Sequence, residues 1–148
     1  MSRAREDGNA VVEFVFVALV AFVPLVYLIV AIAVVSRANT AVAQAARDAG
    51  RAFATATTSA SGRARAALAV RLDMANAGLD DAVELRFVGP DASCTDPPAT
   101  PTLTPGARYR VCVTRHVTVP AVPSIVAGRG ITTVGSFQLY VDDYRLPG

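Results

Sequence analysis

From Phe14 to Val35 the chain runs 22 residues without a charge, and all of them except Pro24 are apolar. No other feature limits the possible folds as strongly. At ~1.5 Å rise per residue, the run makes a helix of roughly 33 Å, enough to cross the hydrocarbon core of a bilayer. Hydrophobic residues make up 53% of the whole chain. Outside the run the share falls to roughly 45%, ordinary for a water-facing domain. The pattern predicts one anchor and about 113 residues beyond it, enough for a small core. It excludes a purely cytosolic globule and a multi-pass transporter.

The formal net charge of +2 is too small to imply a nucleic-acid partner. All 14 basic residues are Arg, which we read as codon bias and give no function. With two Cys the chain forms at most one internal disulfide.

Three readings compete for the N-terminal region. A secretory signal has an apolar stretch of about 7–15 residues and a small-residue cleavage site. Here the stretch is longer, and the A-x-A at Ala41-Val42-Ala43 carries little weight in so Ala-rich a chain. A plain signal anchor is the second reading. The third rests on Gly8-Asn9-Ala10-Val11-Val12-Glu13-Phe14. A short polar leader ends in Gly, an apolar helix follows at once, and its only acid is the fifth residue after that Gly.

This arrangement resembles the type III signal of type IV pilin-like proteins, which a membrane aspartyl protease cuts after the Gly on the cytoplasmic side. The longer string EDGNAVVEFVFVALVAFVPLVYL resembles the TadE-like minor pseudopilins of Flp/Tad pilus systems, including G-x-A-x-V-E-F, the aliphatics and the Pro. The resemblance implies a leader at 1–8, a transmembrane helix at 9–35 and an extracytoplasmic domain at 36–148. It implies cleavage after Gly8, which would free the amine of Asn9 one helical turn from Glu13. In the family the equivalent acid is thought to meet that amine on a neighbouring subunit. The leader departs from a basic pattern, because Glu6 and Asp7 sit beside the scissile Gly.

The residues themselves allow a plainer account. A carboxylate near the N-terminal end of a membrane helix costs less than one at its centre, and the helix dipole favours it there. Pro24 removes one helical hydrogen bond and can kink the span, which membrane helices tolerate. Basic residues on the two sides of the run nearly balance, so the positive-inside rule does not orient it. The resemblance alone assigns the N-terminus to the cytoplasm.

Ser36 to Thr57 reads as a continuation of the same helix. Val42, Ala45, Ala49, Phe53 and Ala56 recur at helical spacing, and the small side chains permit another helix or the chain's own sheet to approach closely. Asp48 with Arg47 and Arg51 reads as a solvated cluster. A second helix is predicted over Arg63–Ala77, with Ala64, Leu68, Leu72, Ala75 and Leu79 on its apolar side. Ser61 would cap its start and Gly78 would follow its end. Strand patterns follow at Val83–Val88, Tyr109–Val119 and Thr132–Tyr144, each alternating as a half-buried antiparallel strand does. Arg115 interrupts the apolar alternation of the second. Pro120 and Pro123 end that strand, and Gly128 and Gly130 mark the turn region before the third. The stretch from Gly89 to Ala107 holds five Pro and reads as irregular.

Cys94 in that stretch and Cys112 in the second strand suggest a disulfide outside the cytoplasm, closing a loop of about 18 residues worth ~3 kcal/mol. TadE-like chains often carry a Cys pair in this region. Two Cys and one His cannot complete a zinc site alone, and His116 lacks the partners of a hydrolase triad. Asp142 and Asp143 are too few for a calcium loop. Arg108, Arg110 and His116 form a basic strand face that is either solvated or a contact for an acidic partner.

The expectation is an α+β protein: a long N-terminal helix, one further helix and a mostly antiparallel sheet of about three strands. The resemblance implies a minor pseudopilin or assembly component with no enzymatic activity, cofactor or metal. Its partners would be the membrane, a prepilin peptidase, other pilins or pseudopilins and the Tad platform. The alternative is a single-pass anchored binding module.

Overall fold

The computed structural model describes residues 7–79, 83–117 and 130–144, with side chains from residue 10 onward. Pro120, Pro123 and Gly128 lie outside the described residues. The fold is α+β: two helices and a three-stranded antiparallel sheet. Contacts divide the chain into two units, Met1–Val34 and Val35–Gly148.

Helix α1 covers Asp7–Ala54 and continues through Pro24. In the first unit its large apolar side chains are exposed from Val11 to Ile32. The helix is long and apolar enough to cross a membrane.

In the second unit the same helix changes character. Ala38, Ala41, Val42, Ala45, Ala46, Ala49 and Phe53 are buried, three or four residues apart, which is one face of a helix. The Ala-rich stripe therefore packs within its own domain. Helix α2 spans Ser59–Asn76. Its N-cap is Thr58, not Ser61. The Ser61 amide donates to Thr58 Oγ1 at 3.1 Å, and the Thr58 amide donates to Ser61 Oγ at 3.2 Å. This reciprocal box starts the helix four residues before the expected Arg63. At the other end Gly78 takes φ 66°. The Leu79 amide donates to the Met74 carbonyl and the Gly78 amide to that of Ala75, both at 2.9 Å. That is the Schellman closure, and it places Gly78 as the sequence predicted.

The buried face of α2 corrects the sequence reading. Gly62, Ala66, Val70 and Met74 face the core. Leu68 and Leu72 are 55% and 54% exposed. The reason is steric. Gly62 lies against the Phe53 ring, where an added Cβ would come within 2.9 Å of Cδ2. Only a residue without a side chain lets α2 settle on Phe53, and that choice sets which stripe turns inward.

Strands β1 (Val83–Val88), β2 (Arg108–Val117) and β3 (Ile131–Tyr140) pair in that order, all antiparallel. Phe87 opposes Val111, which opposes Phe137, and Leu85 opposes Val113, which opposes Gly135. These residues form the inner face, where Phe87, Val111, Val113 and Leu139 join Phe53, Val70 and Met74 in one core cluster. The Phe53 and Phe87 rings lie 5.1 Å apart. Burying a side chain of this kind contributes roughly 1.5–3 kcal/mol. Arg115 shares this inner face and is buried, 5% exposed. The third strand stops at Tyr140, four residues short of the expected end.

Two glycines let α1 approach the sheet. At Gly50 an added Cβ would meet the Phe137 ring at 2.6 Å. At Gly135 it would meet the backbone of Val42 and Ala43. The Pro-rich stretch meets the outer face of the sheet at Arg110, Cys112 and Gln138, while Val134 and Tyr140 of that face stay exposed. The Cys94–Cys112 disulfide, with Cα atoms 5.7 Å apart, ties that stretch to β2.

Candidate functional site

Gly8, Asn9, Glu13 and Phe14 all lie on α1, near its start. The side chain of Asn9 is outside the described residues. Four residues separate Asn9 from Glu13, about 6 Å along the helix axis. Glu13 is exposed, and Phe14 beside it is 74% exposed. Within the described residues Glu13 makes no hydrogen bond or ion pair. A carboxylate on a desolvated apolar surface carries a cost that a cationic partner offsets in part. From Val11 to Ile32 the helix therefore presents an apolar surface with one acid, Glu13, near its beginning. A surface groove lined by Phe14, Ala18, Leu19, Phe22 and Leu25 runs along it. Tyr27 is half-exposed on the same helix.

The basic strand face holds its own chain. Arg110 Nη2 donates to the Pro90 carbonyl at 3.2 Å, and Gln138 Nε2 donates to the same oxygen at 3.1 Å. Arg108 lies over the Tyr140 ring, 5.4 Å from its centre. His116 Nδ1 shares a hydrogen bond with Thr132 Oγ1 at 3.0 Å. The two hydrogen bonds to Pro90 and the disulfide hold the Pro-rich stretch against the sheet, and the Arg108 and His116 contacts join β2 to β3. The Leu103 amide also donates to Ser59 Oγ at 3.1 Å. Among the described residues, no three metal-ligating side chains come together. Asp143 accepts a hydrogen bond from the Tyr140 hydroxyl, which raises the pKa of that hydroxyl.

The sequence reading missed one cluster. Asp48 does not pair with Arg47 or Arg51. Its Oδ2 accepts from Gln44 Nε2 at 2.9 Å, and it lies beside Asp73 of α2. The Asp73 carboxyl is held above its usual range, first by loss of water and then by the charge of Asp48. Twenty-five residues separate the two acids, so no local spacing announces them.

No protein-family profile, curated protein or solved structure matches the chain.

Proposed function

We propose that this chain is a TadE-like minor pseudopilin or assembly component of a Flp/Tad type IV-like pilus or a related secretion system. In this reading the N-terminus is cytoplasmic and the α+β domain lies outside the membrane. A prepilin peptidase cuts after Gly8, and the new amine of Asn9 meets Glu13 of a neighbouring subunit. The segment from Phe14 to Val35 packs against other pilin-like helices.

One observation carries the reading. Helix α1 keeps its large apolar side chains exposed from Val11 to Ile32, and Glu13 is the one acid within that stretch. A carboxylate at that place is tolerated in an anchor, but an anchor does not require it. Assembly through a charge pair does. The Ala stripe beyond Val35 is spent on the domain's own core, which leaves the apolar span for helix–helix entry. The disulfide agrees with a domain outside the cytoplasm.

Substitution separates this from the anchored binding module. Gly8→Val and Glu13→Ala should each abolish pilus-dependent function while the membrane-bound level of the domain stays normal. Arg108→Ala and Arg110→Ala should leave that function in place. Loss on the Arg changes, with Gly8 and Glu13 dispensable, would favour the binding module.

A further inference from the structure

Helices α1 and α2 run antiparallel within the second unit. Gly62 near the start of α2 meets Phe53, and Gly78 just past its end lies beside Arg37, 3.7 Å from Nη2 to an added Cβ. Between them opens a cleft of about 480 Å³, lined by Arg37, Thr40, Gln44, Asp73 and Asn76 with two Ala.

The lining carries both signs of charge in a fixed order. Arg37 is two residues past the end of the apolar run, and no carboxylate pairs with it among the described residues. The Asp73 carboxylate lies further out along the cleft, next to Asp48. Gln44 gives its amide to Asp48 rather than Asp73. Asp73 Oδ2 is shielded from water and accepts no hydrogen bond. Two neighbouring carboxylates repel unless a proton or cation lies with them. A cationic donor seated in the cleft beside the two carboxylates would relieve that repulsion.

Depth along α1 indicates what that donor is. At ~1.5 Å per residue, Arg37 and Thr40 stand about 3 and 8 Å past Val35. The headgroup layer of a bilayer is roughly 5–8 Å thick on each side. With a bilayer ending at Val35, Arg37 would stand at the level of the lipid phosphates. We propose that the cleft binds the phosphoethanolamine headgroup of a membrane lipid, with Arg37 on the phosphate and Asp73, backed by Asp48, on the ammonium. A quaternary choline has no N–H for the carboxylate, and a glycerol headgroup has no cation. The proposal rests on reading the apolar run as a membrane span.

The test uses the full chain in lipid nanodiscs holding equal amounts of phosphatidylethanolamine, phosphatidylcholine and phosphatidylglycerol. Native mass spectrometry then counts the lipids that remain bound on release. The chain should retain phosphatidylethanolamine about tenfold over phosphatidylcholine, the factor supplied by one charge-assisted hydrogen bond. Asp73→Asn should erase that preference with no loss of thermal stability. Arg37→Gln should lower retention of all three lipids. Displacement of the bound lipid by soluble phosphoethanolamine, but not by inorganic phosphate, would support recognition of the headgroup itself. Equal retention of the ethanolamine and choline lipids by the wild-type chain would overturn the proposal, as would an unchanged preference in Asp73→Asn. Displacement by inorganic phosphate alone would remove the role of the amine. A chain that does not enter nanodiscs would overturn the span, and the lipid source with it.

Discussion

Gly135 is where helix and sheet touch most closely, and Gly135→Ala tests the packing directly. The added Cβ would fall 2.6 Å from the Ala43 amide nitrogen and closer still to the Val42 carbonyl. These are backbone atoms of a helix whose neighbouring side chains are fully buried, so neither side can yield by rotating a side chain. Overpacking costs about 1–3 kcal/mol where side chains can adjust. With backbone on both sides, the upper end applies, about 3 kcal/mol. A domain of roughly 110 residues unfolds with an entropy near 0.23 kcal/mol/K, so the melting temperature should fall by about 13 °C. Circular dichroism at 222 nm on the detergent-solubilised chain reads this shift. Gly89→Ala is the control. Its added Cβ would meet only Ala92 Cβ at an ordinary 3.6 Å, so its stability should change by less than about 1 kcal/mol. If Gly135→Ala melts within about 2 °C of the wild type, helix α1 does not cross the sheet at this point.

Three further outcomes follow from the same packing. Met74→Ala should cost about 2–5 kcal/mol, and Leu72→Ala less than about 0.5, in urea unfolding; the reverse order would restore the outward stripe of α2 to the core. Replacing both Cys94 and Cys112 by Ser should cost about 3 kcal/mol by the loop-closure argument, measured the same way, and an unchanged midpoint would mean that the disulfide ties down nothing. Asp73 has a raised pKa in the folded domain, so the fold holds its proton more tightly than the unfolded chain does. That contribution is complete below the unfolded carboxyl pKa and is lost as pH rises through the folded one. Melting temperatures should therefore decline over the weakly acidic range above pH ~4, and Asp73→Asn should flatten that slope. A slope identical in the variant would assign it to other groups.

Much of the fold was legible because strong local patterns carried it. The 22-residue apolar run, the alternating strands and Gly78 each have a direct physical reading. The inward face of α2 was not legible, since the helix is apolar on two sides. Leu68 and Leu72 outweigh Gly62 and Ala66 in hydrophobicity, yet the stripe of Gly62, Ala66, Val70 and Met74 faces inward because Phe53 leaves no room for a side chain at position 62. A Gly inside a strand signals close backbone approach, so Gly135 held a clue to the helix crossing. The role of Arg110 depended on where the Pro-rich stretch lies, which periodicity does not reveal. The Asp48–Asp73 pair joins two helices through tertiary packing alone. At the candidate assembly site Gly8 and Glu13 were named through the resemblance to pilin-like signals, and the fold adds that the helix around Glu13 stays exposed.

The most direct test is the N-terminal sequence of the protein extracted from membranes, with a prepilin peptidase present and absent. The account predicts a start at Asn9 that requires the peptidase and disappears in Gly8→Val. An intact Met1 under both conditions would contradict it and leave a permanently anchored module, while a start near Gln44 would mean an ordinary secreted domain.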